Sequence, residues 1–418
     1  MPMMGALEHH KAEPRKPYRI LMILDQPFPP DIRVENEASA LANAGFDIIL
    51  LILAPDTRDS IEKYQGFTIV RRHVPKRIRN WMRGLAGTVP ILSWYIAWQV
   101  RLLQRQYSFD VIHAHDLYMC GGALKAGRRA GIPVVADLHE VWISVLGIYA
   151  WSTRFPGKLF ISIQRWKVLE KKWTNRAEKV IVITEQMRDR YISLGCSDGK
   201  VVALPNTINT EAFDNYPLDE GIIKAQASEL TLVYAGTINL HRGLDFLLDS
   251  MPLVLRRSKA RLVIVGEGRI RPELEAQAES LGIKDHVFFE GWRSQAAIKS
   301  YILASDICLI PLVKCEQTDK AAAHKLFHYM YLKRPVIATN CTYTQQVVEE
   351  TECGIVVPYG DHKALASSII ELYRAPSRRK QMGVNGHQAV KERYNWERSA
   401  QSLIEMYREM ERKSTSRQ

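Results

Sequence analysis

The residues best equipped for chemistry cluster in the second half of the chain: Ala235-Gly236-Thr237, His241-Arg242-Gly243, Val265-Gly266-Glu267-Gly268 and Lys325-Leu326-Phe327-His328-Tyr329-Met330. The first and third end the apolar runs 230–234 and 262–265, so their glycines stand at the carboxyl ends of expected parallel strands. Open α/β sheets bind ligands there. Glycine lets a bulky ligand approach the backbone, and a helix N-terminus that follows offers free N–H groups to a phosphate. Arg242 and Lys325 add two full positive charges. Breaking a glycosidic phosphate bond leaves a diphosphate whose growing charge must be met in the transition state, and fixed cations in a closed cleft do that. The ligand implied is a diphosphate held without metal, as in a nucleotide sugar. The bland alternative leaves both cations solvated at helix starts, where the dipole disfavours them. Gly266-Glu267-Gly268 is no dinucleotide fingerprint, because Arg271 stands where the third glycine belongs.

A second group lies in the first half. His113, His115 and Asp116 close an apolar run, and two histidines at spacing two fall on one face of a strand. The pattern invites a metal, but no third His or Cys stands at ligand spacing, so none is expected. His139 and Glu140 follow the next apolar run and would line the same crevice. Asp31 and Arg33 sit in the first strand-to-helix loop, Arg33 either as a phosphate-facing charge or as a helix-start ion pair.

The elements that position these groups alternate. After a polar leader, expected disordered over 1–17, the run 19–24 reads as a strand buried on both faces. Val34, Ala38, Leu41 and Ala42 then follow helical spacing up to a cap at Gly45, and 46–53 is the next strand. Short apolar runs recur at 109–114, 132–136 and 180–183, then at 230–234, 261–265, 287–289, 307–310, 335–338 and 355–357. Such alternation implies doubly wound sheets. The expected architecture is α/β, two Rossmann-like domains facing a cleft, at 18–206 and 207–390. The segment 391–418 would be a C-terminal helix able to cross back to the first domain.

A chain of 418 residues is too long for one ordinary core. No apolar stretch reaches the ~18 residues of a spanning helix, and six scattered cysteines without a Cys-x-x-Cys pair favour a reducing cytosol. The net charge of +12 is unevenly placed: residues 71–109 hold eight Lys/Arg and no acid, and 154–176 hold seven against Glu170 alone. Within the first segment, 84–100 carries no charge and is accompanied by Trp81, Trp94, Tyr95 and Trp98. It reads as an interfacial helix on an anionic membrane surface, or else as a buried helix with basic ends. Residues 142–173 again mix Trp with Lys and Arg. No nucleic-acid motif accompanies these stretches, so nucleic acid is not expected as a partner.

The chain resembles the family-4 glycosyltransferases of the GT-B fold, from Tyr18 to about Met410. The matching pieces run in order: Phe28-Pro-Pro-Asp-Ile-Arg-Val34, Asp110-Val-Ile-His-Ala-His-Asp116, Asp137-Leu-His-Glu140, Val182-Ile-Thr184, Leu204-Pro-Asn206, Tyr234-Ala-Gly236, Arg242-Gly243, Val265-Gly-Glu-Gly268, Glu290-Gly-Trp292 and Lys325-Leu-Phe-His-Tyr-Met330. The resemblance implies retaining, metal-independent transfer of a sugar from a nucleotide donor to an acceptor hydroxyl, with the donor on the second domain and the acceptor on the first. It implies Arg242, Lys325 and His115 as catalytic groups. Gly236, Thr237, Gly266, Glu267, Gly268, Trp292 and His328 would bind donor; Asp31, Arg33, His139 and Glu140 would bind acceptor. The implied setting is a cytoplasmic enzyme peripheral to the inner face of the cell membrane. It would act on a lipid-linked or glycan acceptor in bacterial cell-surface polysaccharide or glycolipid synthesis, without cofactor or metal. Two departures stand out. Many relatives carry arginine where this chain has Thr237, and a ribose-contacting glutamate where it has His328. They motivate a second reading, a silent member that binds a sugar nucleotide or a partner. A nicotinamide oxidoreductase is disfavoured, because the first strand runs into Gln26-Pro27-Phe28-Pro29 and not a glycine fingerprint.

Overall fold

The computed structural model describes residues 16–29, 31–55, 58–146, 161–225, 230–321 and 323–416. Most of the expected leader lies outside them. Two sheets organise the chain. The first has eight strands in the order β3-β4-β2-β1-β5-β6-β7-β8. They are β1 (Arg19–Leu24), β2 (Asp47–Ala54), β3 (Ser60–Tyr64), β4 (Phe67–His73), β5 (Val111–His115), β6 (Val134–Leu138), β7 (Lys179–Val182) and β8 (Val201–Ala203). All pair in parallel except the β3–β4 hairpin. The second sheet, in the order β11-β10-β9-β12-β13-β14, contains β9 (Leu230–Ala235), β10 (Ala260–Val265), β11 (Val287–Gly291), β12 (Ile307–Ile310), β13 (Val336–Thr339) and β14 (Gly354–Val357). All its pairings are parallel. Parallel strands are covered on both faces, which is why they read as continuous apolar runs.

Strand order reverses at β1/β5 in the first sheet and at β9/β12 in the second, and at such points the carboxyl ends of the strands open a crevice. The carboxyl edges of the two sheets meet. Ser144, beyond β6, donates to Glu316 at 2.9 Å, and Thr184, beyond β7, donates to the Lys320 carbonyl at 2.7 Å; both acceptors lie beyond β12.

Helices cover both faces of the first sheet. On one side lie α2 (Lys76–Leu85), α3 (Ile91–Tyr107), α4 (Leu117–Ala130) and α5 (Ile163–Arg176); on the other lies α1 (Ile32–Asn43). In the second domain α6 (His324–Tyr331) follows β12. The last helix, α7 (Trp396–Thr415), returns to the first domain, where Trp396, Leu403, Met406, Tyr407 and Met410 pack with α1, β1 and β2. Its start is tied to the outgoing crossing by a 2.8 Å bond from the Trp396 amide to the Ile208 carbonyl.

The structure corrects the reading of the basic segments. The uncharged stretch 84–100 is not one interfacial helix, because α2 ends at Leu85 and α3 begins at Ile91. Arg79 and Arg83 turn inward. Arg79 donates to the Asp25 carbonyl at 3.0 Å; Arg83 pairs with the Asp25 carboxylate at 3.3 Å and lies over the Tyr118 ring. Trp142, Trp166 and Trp173 are core residues in an edge-to-face series, with centroids 5.9 and 6.0 Å apart. The exposed face is made instead by Arg77, Ile78 and Trp81 of α2 and by Trp94, Trp98, Arg101, Leu102 and Arg105 of α3.

Candidate functional site

On the second domain, β9 runs into Gly236, whose φ of +146° favours glycine. A Cβ there would lie 2.6 Å from the Lys325 Nζ. Gly266 supports this turn from β10: its own Cβ would collide with the Gly236 carbonyl oxygen at 1.9 Å. Lys325, in the first turn of α6, holds its Nζ 3.5 Å from the centroid of the Tyr234 ring, placed for a cation–π contact once it is protonated. That nitrogen is buried without a hydrogen-bond partner. Burial, then the Arg242 charge, pushes its pKa well below the usual lysine range. Arg242 donates from Nε to the Thr237 hydroxyl at 3.2 Å. Thr237 therefore positions the cation that lies beside it. The Arg242 guanidinium, the buried Lys325 amine and a glycine backbone form an anion receptor whose central nitrogen has no counterion in place to stabilise its charge.

Other expected donor residues behave differently. Glu267 forms an ion pair with Arg271, and Trp292 is 75% exposed. His328 is buried one turn beyond Lys325, its ring stacked on Phe213 at 4.8 Å and edge-on to His324 at 4.5 Å. Burial and His324 keep it neutral, well below the usual histidine range. It borders a cavity of about 180 Å3 shared with Ile32 and Asn36 of α1.

On the first domain a buried network centres on Asp137, in the apolar strand β6. Its Oδ2 meets His115 Nδ1 at 3.2 Å, His139 Nε2 at 3.0 Å and His113 Nε2 at 3.4 Å. Its Oδ1 meets Arg33 Nη2 at 2.9 Å. Burial alone would raise the Asp137 carboxyl, but Arg33 and His139 overcome it and hold the group well below the usual range. Burial would likewise depress His139; Asp137 and Asp116 override it and lift the imidazole to about 9. His115 is pushed down to about 4 by burial and by His113, and stays neutral. Its Nδ1–H donating to Asp137 leaves Nε2 as a lone-pair acceptor, and Nε2 is buried without a partner. Glu140 is raised to about 7 by burial and Asp116.

Two residues expected on the acceptor side carry structural contacts. Arg33 pairs with Glu37 at 2.9 Å and with Asp137, and donates to the Leu204 carbonyl and the Asn206 side chain. Its Nε, Nη1 and Nη2 each have a protein partner, as in the ion-pair alternative for this residue. Asp31 is the N-cap of α1, accepting from the Val34 amide at 3.2 Å. Glu37, Asp137 and Tyr407 are the members that residue spacing did not reveal. Glu37 carried a signal, a carboxylate in the apolar stripe of Val34, Ala38 and Leu41.

Glu37, His113, His115 and Asp137 bring four ligand atoms within 4.8 Å of one another, a constellation that spacing along the chain did not predict. The set does not suit a divalent cation, because the Arg33 guanidinium already bridges the two carboxylates. The charge such an ion would bring is present covalently.

The profile described as Glycosyltransferase Family 4 matches residues 32–212, and that described as Glycosyl transferases group 1 matches 229–375. The chain belongs to the family-4 glycosyltransferases. This glycosyltransferase is 23% identical to the alpha-D-kanosaminyltransferase of Streptomyces kanamyceticus, over 98% of this chain and 99% of that one. It is 25% identical to the phosphatidyl-myo-inositol mannosyltransferase of Mycobacterium leprae, covering 72% and 73%. Among solved structures it is similar to Anabaena HepE in complex with UDP, with a TM-score of 0.69 and 15% identity over 94% of this chain and 100% of that one. The fold of the glycosyltransferase is GT-B.

Proposed function

We propose that the enzyme moves a sugar from a nucleotide diphosphate donor to an acceptor hydroxyl, with retention and without metal. The observation that carries this reading is the Lys325 Nζ, buried, unpartnered and 2.6 Å from the point where a Gly236 side chain would begin. A diphosphate supplies the missing counterion, and Arg242 adds a second charge as the leaving group departs. His115 Nε2, oriented through Asp137, accepts from a hydroxyl of the transferred sugar or the acceptor. Glu140 orients the acceptor hydroxyl. The family resemblance supports retention, and the UDP bound to the Anabaena structure supports a nucleotide donor.

The acceptor is a lipid-linked or glycan molecule of bacterial cell-surface polysaccharide or glycolipid synthesis, met at the inner face of the cell membrane. The exposed Trp94–Trp98–Leu102 stripe with Arg101 and Arg105 supports membrane contact, and the mycobacterial relative is named for a lipid acceptor. Among the described residues no helix is long and apolar enough to cross a membrane. A thermal-shift panel of UDP-, GDP-, ADP- and dTDP-sugars with chelator present tests the reading. A donor at 100 times its dissociation constant adds about 2.7 kcal/mol, and a flat response to all four would overturn it. The silent-binder reading draws on His328, held neutral against Phe213 where relatives place a glutamate; donor binding without donor hydrolysis or transfer would favour it.

A further inference from the structure

A groove of about 630 Å3 runs between α4 and α5 on the first domain. Its walls carry Lys125 and Arg128 from α4 and Lys172 and Arg176 from α5; Glu178 is the lone acid on its rim. Among the described residues none of these four cations has a carboxylate within ion-pair distance, whereas Arg71, Arg188, Arg190 and Arg271 all do. Helix dipoles account for Arg128 and Arg176, which lie in last turns. Lys125 and Lys172 stand about a turn earlier, so the dipoles do not explain why all four ring one groove.

The floor is apolar, formed by Leu124, Ile132, Val134 and Trp173. The groove is continuous with the tryptophan face, since Lys125 Nζ lies 5.2 Å from the Trp94 ring centroid. It also lies away from the catalytic cleft. Ile132 and Val134 stand where β6 begins, at the amino edge of the sheet, while the cleft opens at the carboxyl edge.

We propose that this groove binds the phosphate headgroup of an anionic glycerophospholipid, with the cations on the phosphate and the apolar floor against the first methylenes of the lipid. Free phosphate would use only the walls. The outer layer of α3, α4 and α5 would then lie along the membrane, with the cleft opening at its rim. Only the orientation at the membrane rests on the membrane-facing reading of α3; the groove and its lipid-phosphate chemistry do not, and both are independent of the donor chemistry.

Titration calorimetry with monomeric dihexanoyl phosphatidic acid, dihexanoyl phosphatidylcholine and inorganic phosphate tests it, beside co-sedimentation with phosphatidylcholine vesicles with and without phosphatidic acid. Binding is expected for the short-chain phosphatidic acid and at least tenfold weaker binding for each of the other two probes. Arg128→Gln with Lys172→Gln should weaken it about 25-fold, at roughly fivefold per cation, with an unchanged melting temperature. Trp94→Ser with Trp98→Ser should abolish sedimentation while leaving the short-chain lipid bound. Unchanged binding in the Arg128/Lys172 variant overturns the groove, and equal affinity for inorganic phosphate overturns the lipid assignment. A wild type that binds the short-chain lipid but never sediments would refute the membrane reading and leave the groove standing.

Discussion

Tyr407 and His113 lie 294 positions apart and meet through a 2.7 Å hydrogen bond between the phenol and Nδ1. The phenol comes from the returning helix α7, the imidazole from β5. With Tyr407 on one nitrogen and Asp137 on the other, His113 has one orientation. Asp137 in turn orients His115, so the last helix reaches the candidate catalytic histidine through two side chains.

Tyr407→Phe keeps the ring and removes the hydroxyl, leaving His113 Nδ1 unpaired in the core. Such a buried vacancy costs about 1–3 kcal/mol. The melting temperature should fall accordingly, and kcat should drop while the KM for donor stays near wild type. A KM change with kcat intact would place Tyr407 outside this relay.

Arg242→Ala or Lys325→Ala should each lower turnover about 100- to 1,000-fold, as losing one transition-state donor does, without unfolding the protein. Lys325 also predicts a proton signature. Its pKa lies well below the lysine range because burial and Arg242 oppose the charge, and an arriving diphosphate removes that opposition. Donor binding should therefore take up a proton, seen as a calorimetric enthalpy that varies with the ionisation enthalpy of the buffer. Lys325→Met should abolish the dependence.

The Asp137 network sets a pH window. His139 is lifted to about 9 in the folded protein, against about 6.5 unfolded. Its contribution is thus fully present below about pH 6.5 and is lost as pH rises through about 9. Glu37, raised chiefly by burial, acts in the same direction, because its carboxyl resists ionisation only when folded. Thermal stability should decline from pH 6.5 to 9, and His139→Gln should flatten that decline. A Tm that stays level across this window would exclude a charged His139.

The proposed membrane face predicts a split among neighbouring arginines. Arg77→Glu with Arg101→Glu should release the protein from anionic vesicles with little change in melting temperature, since both are exposed. Arg79→Glu, or Arg83→Glu beside the buried Asp25 carboxylate, should instead destabilise by about 3–5 kcal/mol, the cost of an uncompensated buried charge. Release by the second pair without unfolding would mean that Arg79 and Arg83 reach the lipid.

Most of the parallel strands were legible because burial on both faces leaves a continuous apolar run, as in β1, β2, β9 and β10; β4, which ends in Arg71-Arg72-His73, and the three-residue β8 were not. The hairpin strand β3 was not: Ser60-Ile-Glu-Lys-Tyr64 sits at the sheet edge, and its mostly exposed residues leave no apolar run. Gln65 and Gly66, both at positive φ, close the turn. Lys325, Gly236 and Arg242 could be grouped from sequence because each stands at a strand end or helix start. The role of Asp137 could not, since it depends on side chains from α1, β5 and β6 converging on one carboxylate. The inward turn of Arg79 left a trace, as it shares a helical face with the buried Met82 and Ala86.

The return of α7 has a temporal consequence. The first domain leaves the ribosome first, yet its α1 face stays uncovered until Trp396, Leu403, Met406 and Tyr407 emerge. At roughly 5–20 residues per second that wait is on the order of 10–40 seconds, with Met22, Leu50 and Leu41 lacking their final cover. The second domain, begun later, holds every strand of its sheet by Val357 and is finished sooner. The half made first is completed last, and a chaperone that shields nascent chains would find its substrate in the N-terminal domain.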